Sequence, residues 1–225
     1  MQLLLVIFGF VTATAAIAVE SFPGHAPDRR ILETQEKVDS LFDQGKYDRA
    51  MFIYRHELAP LGDKYAQYMV GYMYLSGKGV AEDVVTASAW YRLAAERGQD
   101  TYVFERNKLM SLLSEAQRAQ SDKVYFALRN ALGDVALIAG LIETDLHSLS
   151  GRNTANAFSQ VAAGPGASNG RDAMSQRTAD RIRSRMRYLE RKLSVDVTIT
   201  EDERRRFAEL KARVRRGMSE FETRR

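Results

Sequence analysis

The chain has 225 residues, of which 45% are hydrophobic and 28% are charged, and it contains three His and no Cys. This composition predicts a globular protein with a core of its own, and it excludes a disulfide scaffold, a thiolate zinc site and a cysteine nucleophile. The net charge of +4 conceals an asymmetry, because residues 171–225 carry 17 Lys and Arg against 10 Asp and Glu, whereas residues 1–170 carry 16 against 19.

The N-terminus has the pattern of an export signal. Leu3 to Ala18 is an apolar run that ends in small residues, and Ala16-Ile17-Ala18 fits the small-x-small cleavage pattern. No Lys or Arg precedes the run, which is short for a bilayer-spanning helix of about 20 residues. We therefore expect residues 1–18 to be a signal peptide cleaved after Ala18, and the mature protein to be periplasmic. The alternative is an N-terminal anchor in the inner membrane, with the rest of the chain facing the periplasm.

Beyond Pro27 the sequence shows the periodicity of short helices. Apolar residues recur every three or four positions in successive runs over residues 38–42, 50–58, 65–75 and 84–97. Glycines separate these runs, and none of them alternates between apolar and polar residues as a half-buried strand would. The pattern favours an all-α fold of antiparallel helix pairs stacked side by side.

The stretch from Ala66 to Gly98 places small, aromatic and glycine residues in a long, irregular pattern. Its characteristic positions are Tyr68, Gly71, Tyr74, Gly77, Gly79, Val80, Asp83, Ala87, Trp90, Tyr91, Ala94, Ala95 and Gly98. This pattern closely resembles a Sel-one-like repeat, placed at about residues 63–98. Upstream, Gly45, Tyr47, Ala50 and Tyr54 resemble the second half of a tetratricopeptide repeat. The resemblance implies a short α-solenoid over residues 31–149, with a concave face that binds other proteins.

A candidate binding groove follows from this resemblance. Tyr65, Tyr68 and Tyr72 share one helix face, the face that lines the groove in tetratricopeptide repeats. The corresponding face of the preceding unit carries Gln35, Asp39 and Asp43. A tyrosine stripe flanked by carboxylates suits a peptide that bears basic residues. The alternative is that the tyrosines pack against the neighbouring repeat.

Downstream, residues 101–113 look like the first helix of a degenerate third unit. Ser114 and Gln117 fit a capping box, which predicts a helix from Glu115 to about Ala131. Gly133 and Asp134 break it, and a second amphipathic run covers residues 135–149. We expect this pair to close the exposed end of the solenoid. The Gly, Ser, Asn and Ala content of residues 150–175 then predicts a flexible linker.

The C-terminal residues 176–223 predict an Arg-rich helical hairpin or coiled coil. Apolar residues spaced by three and four form one seam on each helix, and Thr200 with Glu203 fits a second capping box between them. Two heptads per helix are few for an independent coiled coil, so docking or self-association is expected. The candidate contacts for an anionic partner are Arg204, Arg205, Arg206, Arg213 and Arg216. The alternative is a solvated helix surface whose arginines are balanced by nearby acids.

No constellation for catalysis is evident. Gly77-Lys78-Gly79 lacks the spacing and the Ser or Thr of a phosphate loop, and the three His lie in separate contexts. We therefore expect no catalytic residue, no cofactor and no metal. The sequence predicts a non-enzymatic adaptor that binds protein partners in the cell envelope. An anionic lipid or lipopolysaccharide surface is a further candidate partner, whereas nucleic acid is not expected in an exported protein. The alternatives are a self-assembling envelope component that forms homo-oligomers through the hairpin, and an unrecognised envelope hydrolase.

Overall fold

A computed structural model describes residues 22–24, 29–159, 168–196 and 198–223. The predicted signal peptide, residues 1–18, lies outside the described residues. Within the described ranges the regular structure is helical and contains no strand, which confirms the predicted all-α class. The helices are α1 (Arg29–Asp43), α2 (Tyr47–Ile53), α3 (Lys64–Ser76), α4 (Val84–Ala94), α5 (Asp100–Leu112), α6 (Glu115–Leu132), α7 (Asp134–Ser159), α8 (Ser168–Val195) and α9 (Glu201–Thr223).

Helices α1 to α6 form the solenoid-like part of the fold. Helix α2 continues as a π-helical turn, Tyr54–Leu58, and a 3-10 turn, Ala59–Leu61. Helix α3 packs on α4, and α4 packs in turn on α5 and α6. The α3–α4 approach is close, because a Cβ atom on Gly71 would lie 2.5 Å from the Tyr91 ring. The core between the helices includes Val38, Tyr54, Met73 and Leu93, each almost fully buried.

The predicted closing pair behaves differently from the expectation. Helix α6 begins at the predicted capping box, in which the Ser114 hydroxyl accepts from the Gln117 amide, but its main contact is with α4. Helix α7 contacts α6 and also packs on α8 and α9, where Ile138 and Ile142 are buried in the bundle core. Phe104 and Leu112 on α5 are 64% and 74% exposed, so the predicted pair leaves part of this end uncovered.

The C-terminal hairpin is present and is docked. The Thr200 amide donates to Glu203 Oε2 at 2.8 Å, and the Glu203 amide donates to the Thr200 hydroxyl at 3.2 Å, which is the predicted capping box. The seam residues Ile182, Leu189 and Leu210 are buried. They pack against α7 as well as against each other, so α7, α8 and α9 form a three-helix bundle.

The segment predicted as a flexible linker is largely helical. Helix α7 runs to Ser159 and α8 begins at Ser168, so 150–159 and 168–175 belong to helices. Residues 160–167 lie outside the described residues. Extending a helix that is already nucleated costs less than starting one, so α7 and α8 continue into a segment whose Gly, Ser and Asn have weak helix propensity.

The run Glu115–Ser150, which spans α6 and most of α7, contains an 18-residue window that is long and apolar enough by composition to cross a membrane, with a mean hydropathy of 1.4. The helix is interrupted within this run at Gly133, whose backbone is extended (ψ 157°). Ile138, Ile142 and Leu149 of the same run are buried in the bundle core. In all, 28% of the window is buried inside the protein, so packing in the bundle accounts for part of its apolar residues.

A candidate protein-binding groove and the junction beside it

Tyr65 is the exposed member of the predicted tyrosine stripe. The Asp63 carboxylate accepts from the Ala66 amide at 3.0 Å, so α3 begins with Tyr65 in its first turn. The Tyr65 side chain is 43% exposed and meets the Tyr54 ring edge-on at 6.2 Å between ring centroids. Part of Tyr65 is therefore available to a partner.

Tyr68 and Tyr72 are partly buried by contacts within the protein. The Tyr68 ring stacks between Tyr91 of α4 and Tyr102 of α5, with centroids at 5.0 and 5.3 Å. Tyr72 lies 6.1 Å from Phe42 of α1. Tyr68 therefore joins neighbouring helices, which is the alternative that the sequence left open, and Tyr65 carries the exposed part of the stripe.

The predicted polar residues of the groove lie around Tyr65. Gln35 donates to Asp63 Oδ2 at 2.6 Å, and the Tyr54 hydroxyl donates to Asp39 Oδ1 at 2.6 Å. Asp43 is exposed. Burial raises the pKa of the Tyr65 phenol, and the negative charges of Asp39, Asp43 and Asp63 raise it further.

These three aspartates share a second property. Across the described residues, Asp39, Asp43 and Asp63 form no salt bridge with Lys, Arg or His. We call the surface formed by Asp39, Asp43, Asp63 and Tyr65 the acidic groove. Neutral groups donate hydrogen bonds to Asp39 and Asp63, and among the described residues no cation neutralises the three carboxylates.

The predicted arginines of α9 are exposed, but most have carboxylate partners. Arg205 and Arg206 pair with Asp202 one turn earlier, the latter at 2.7 Å, and Arg213 pairs with Glu143 of α7. On α8, Arg181 and Arg185 both contact Asp145 of α7. Several arginines of the C-terminal segment are therefore paired with carboxylates of the same protein.

Sequence reasoning missed a buried ion-pair cluster where the bundle meets the repeats. The Lys64 ammonium lies 2.9 Å from Glu96 Oε2 and 3.1 Å from Asp134 Oδ1, and the side chains of all three are at most 8% exposed. Arg97 donates to Asp134 at 2.9 and 3.1 Å, and the Tyr188 hydroxyl of α8 donates to it at 2.9 Å. We call Lys64, Glu96, Arg97, Asp134 and Tyr188 the junction cluster.

The junction cluster holds Asp134 in its charged form. Desolvation alone would raise the pKa of this carboxyl, but the Lys64 charge and the hydrogen bond from Arg97 outweigh it and lower the pKa to about 2. Desolvation and the neighbouring Asp134 charge raise the pKa of Tyr188. The junction cluster therefore connects α3 and the 3-10 turn Ala95–Arg97, which follows α4, to α7 and α8 through charged and polar side chains.

Phe22 and Pro23, upstream of α1, also contact residues at the junction cluster. The Arg97 guanidinium lies 3.5 Å from the centroid of the Phe22 ring, which meets Tyr188 edge-on at 5.7 Å. Arg185 Nε donates to the Pro23 carbonyl at 2.9 Å. Phe22 and Pro23 thus pack between the repeats and the bundle, a contact for which the sequence offered no signal.

A second set of side chains that the sequence did not single out surrounds Lys78. Phe42, Tyr47 and Tyr72 present their rings to its ammonium at 5.0, 5.1 and 5.1 Å from the ring centroids. Gly77 and Gly79 in the sequence predict the turn around Lys78. They do not predict its aromatic partners, which are distant in sequence.

The part of the chain that the structure describes contains no group of three or more His, Asp or Glu side chains placed to hold a metal ion. The aspartates of the acidic groove form no ion pair among the described residues, and Tyr65 beside them is exposed, so the groove suits recognition of a positively charged partner. The junction cluster is buried and its charges are paired with each other.

Comparison with known families identifies a repeat within the chain. Residues 64–99 are a Sel1 repeat. This confirms the Sel-one-like resemblance inferred for about residues 63–98 and agrees with the helical fold. Sel1 repeats generally mediate protein–protein interactions and are typically not catalytic. No curated protein and no solved structure matches the chain.

Proposed function

We propose that the protein is a non-enzymatic adaptor of the cell envelope, which binds a basic segment of a partner protein in the acidic groove. The observation that carries this proposal is the set of three aspartates around Tyr65 that has no cationic partner among the described residues. Carboxylates left without a cation attract Lys and Arg side chains, and an exposed aromatic ring beside them adds apolar and cation–π contact.

The Sel1 repeat supports the adaptor role, because repeats of this type generally mediate contacts between proteins. The periplasmic location is part of the proposal, and it is supported by the apolar run Leu3–Ala18 and its small-x-small end. The arginines of α9 serve as a secondary, weaker contact, because Asp202 and Glu143 already neutralise several of them.

Site-specific photo-crosslinking in the native host tests this proposal. A photoreactive residue at Tyr65 reports on the acidic groove, and one at Arg205 reports on the arginine surface. We expect Tyr65 to capture a protein other than this chain through a segment rich in Lys or Arg. In the Asp39→Asn/Asp43→Asn background, this product should be lost.

The double substitution is a conservative one, because an Asn at 39 can still accept from the Tyr54 hydroxyl. Capture at Tyr65 that persists unchanged in this background would contradict the proposal, as would a product formed only with a second copy of the chain. A captured segment without basic residues would also contradict it.

The alternative of a self-assembling component is favoured by one observation, the exposure of Phe104 and Leu112 on α5. Light scattering on the full-length chain and on Phe104→Ser/Leu112→Ser tests it. A dimer that becomes a monomer in this variant would support self-assembly, and a monomer in both would contradict it. Deleting the hairpin would be a poor test, because it would expose the apolar face of α7.

A further inference from the structure

The Lys78 ammonium lies among three aromatic rings. Its distance to the ring centroid is 5.0 Å for Phe42 and 5.1 Å for both Tyr47 and Tyr72. It donates a hydrogen bond to the Tyr72 hydroxyl at 3.2 Å, which raises the pKa of Lys78 and keeps it charged. Within the described ranges, no carboxylate pairs with it. The Tyr72 hydroxyl and the three surrounding rings therefore stabilise this charge together.

The rings come from three different elements and are held against each other. Phe42 lies at the end of α1, Tyr47 at the start of α2 and Tyr72 on α3. The Phe42 ring is tilted by 63° to Tyr47 and by 56° to Tyr72, with centroids at 5.1 and 6.1 Å. We call these three side chains the aromatic cage. The rings of the cage thus contact each other as well as Lys78.

The turn that carries Lys78 is built to bring it to the cage. Gly77 and Gly79 have positive φ angles of 64° and 68°, which L side chains rarely adopt. A Cβ atom on Gly79 would lie 2.5 Å from the carbonyl carbon of Tyr47, so the turn lies directly against the start of α2. Lys78 itself is only partly buried, and its ammonium is carried on a flexible four-carbon stem that can leave the cage.

A primary ammonium is compact and strongly hydrated, so it gives up favourable contacts with water when it enters an aromatic cage. A quaternary ammonium has no N–H groups to solvate, and its methyl groups contact the ring faces directly. Aromatic cages are the usual recognition sites for such groups. A choline-type ligand should therefore compete with the Lys78 side chain for the same space.

We propose that Phe42, Tyr47 and Tyr72 form a binding site for a choline-type quaternary ammonium group, and that the Lys78 side chain occupies this site until the ligand displaces it. The site is separate from the acidic groove and does not rest on the proposed adaptor function. The quaternary ammonium is the shared chemistry of two sources, free choline and the phosphatidylcholine headgroup.

Titration of the full chain with choline chloride, followed by isothermal calorimetry and tyrosine fluorescence, tests this inference. We expect Lys78→Ala to bind choline in the millimolar range. Wild type should bind roughly tenfold more weakly, as expected if Lys78 fills the cage about 90% of the time. The neutral isostere 3,3-dimethylbutan-1-ol should bind neither protein, because cation–π attraction requires the charge.

Matched variants on the Lys78→Ala background identify the site. Adding Tyr72→Leu should abolish choline binding, whereas Tyr74→Leu, a half-buried tyrosine on the same helix, should leave it unchanged. If Tyr72→Leu fails to give a cooperative thermal transition, Phe42→Leu replaces it. Vesicles of phosphatidylcholine and of phosphatidylglycerol distinguish the two sources of the ligand. Binding to phosphatidylcholine vesicles but not to phosphatidylglycerol vesicles identifies the lipid headgroup as the ligand. Binding to free choline but to neither vesicle identifies the soluble compound.

Two results would overturn the inference. The first is a folded Lys78→Ala protein that gives no response up to about 100 mM choline, where even a very weak site would fill. The second is equal binding of choline and its neutral isostere. Neither result affects the acidic groove, because Asp39 and Asp43 are not part of the cage.

Discussion

The repeats and the bundle use charge in opposite ways. In the described part of the bundle, at least six arginines, including Arg185, Arg205 and Arg213, pair with carboxylates of the same protein. In the repeats, which lie in the mildly acidic part of the chain, Asp39 and Asp43 have no cationic partner among the described residues. Net charge along the sequence therefore points to the bundle as the binding surface, whereas the pairing of individual charges points to the acidic groove.

The largest expected effect comes from the junction cluster, where charges are both paired and buried. Asp134→Ala removes the partner that Lys64 and Arg97 share and leaves positive charge in a dry site. We expect a loss of about 3 kcal/mol in the free energy of unfolding, measured by urea denaturation. Asp43→Ala, an exposed carboxylate, is the matched control and should change it by less than about 0.5 kcal/mol. Equal effects would refute the distinction between paired and unpaired aspartates.

A second pair of substitutions separates packing from binding within the tyrosine stripe. Tyr68→Ala removes a ring stacked between Tyr91 and Tyr102, so it should cost about 2–3 kcal/mol of stability. Tyr65→Ala should cost about 1 kcal/mol or less, because the ring is 43% exposed. Thermal unfolding of the two variants measures both changes in stability. A larger loss of stability in Tyr65→Ala than in Tyr68→Ala would mean that Tyr65 belongs to the core.

The junction cluster also predicts how stability depends on pH. The pKa of Asp134 in the folded protein is about 2, below the unfolded value of about 3.9. The stability that its charge contributes is therefore complete above about pH 4 and is lost as the pH falls toward 2. Between these limits, wild type should lose about 2 kcal/mol more than Asp134→Asn. Urea denaturation at several pH values checks this, and parallel curves for the two proteins would contradict it.

The smallest effect is expected for the arginines on the surface of the bundle. Arg213 pairs with Glu143, but both side chains are almost half exposed. Exposed ion pairs contribute little because water and salt screen them, so Arg213→Gln should change stability by less than about 0.5 kcal/mol. A loss above about 1 kcal/mol in chemical denaturation would show that this pair has a larger structural role than exposed pairs have.

Local sequence signals identified most of the helices. The capping boxes at Ser114 and Thr200 and the glycines at 77 and 98 fixed helix ends to within a few residues. The boundary at residues 150–175 could not be predicted in this way, because its composition favours a loop while packing in the bundle extends α7 and α8 into it. The outcome there depends on long-range contacts.

The candidate sites also differ in how much of them local sequence signals could predict. Asp39, Asp43 and Tyr65 of the acidic groove could be named from the sequence, because they occupy recognisable positions of helical repeats, whereas Asp63 was not named. The junction cluster and the aromatic cage could not be predicted, since Lys64 meets Asp134 and Phe42 meets Lys78 across long separations in sequence. The carboxylate partners of some arginines could not be predicted for the same reason, because Glu143, for example, lies on another helix.

The most direct test of the account is the affinity of a fluorescent peptide rich in Lys and Arg, measured by anisotropy at low salt. We predict that Asp39→Asn/Asp43→Asn weakens binding roughly tenfold, as expected from two ion pairs of about 0.7 kcal/mol each. Arg204→Gln/Arg205→Gln should leave it unchanged or slightly tighter. The claim that the acidic groove is the binding surface would be contradicted by two results together. The wild-type protein would not bind this peptide, and it would bind a Glu-rich peptide in a manner that depends on Arg204 and Arg205.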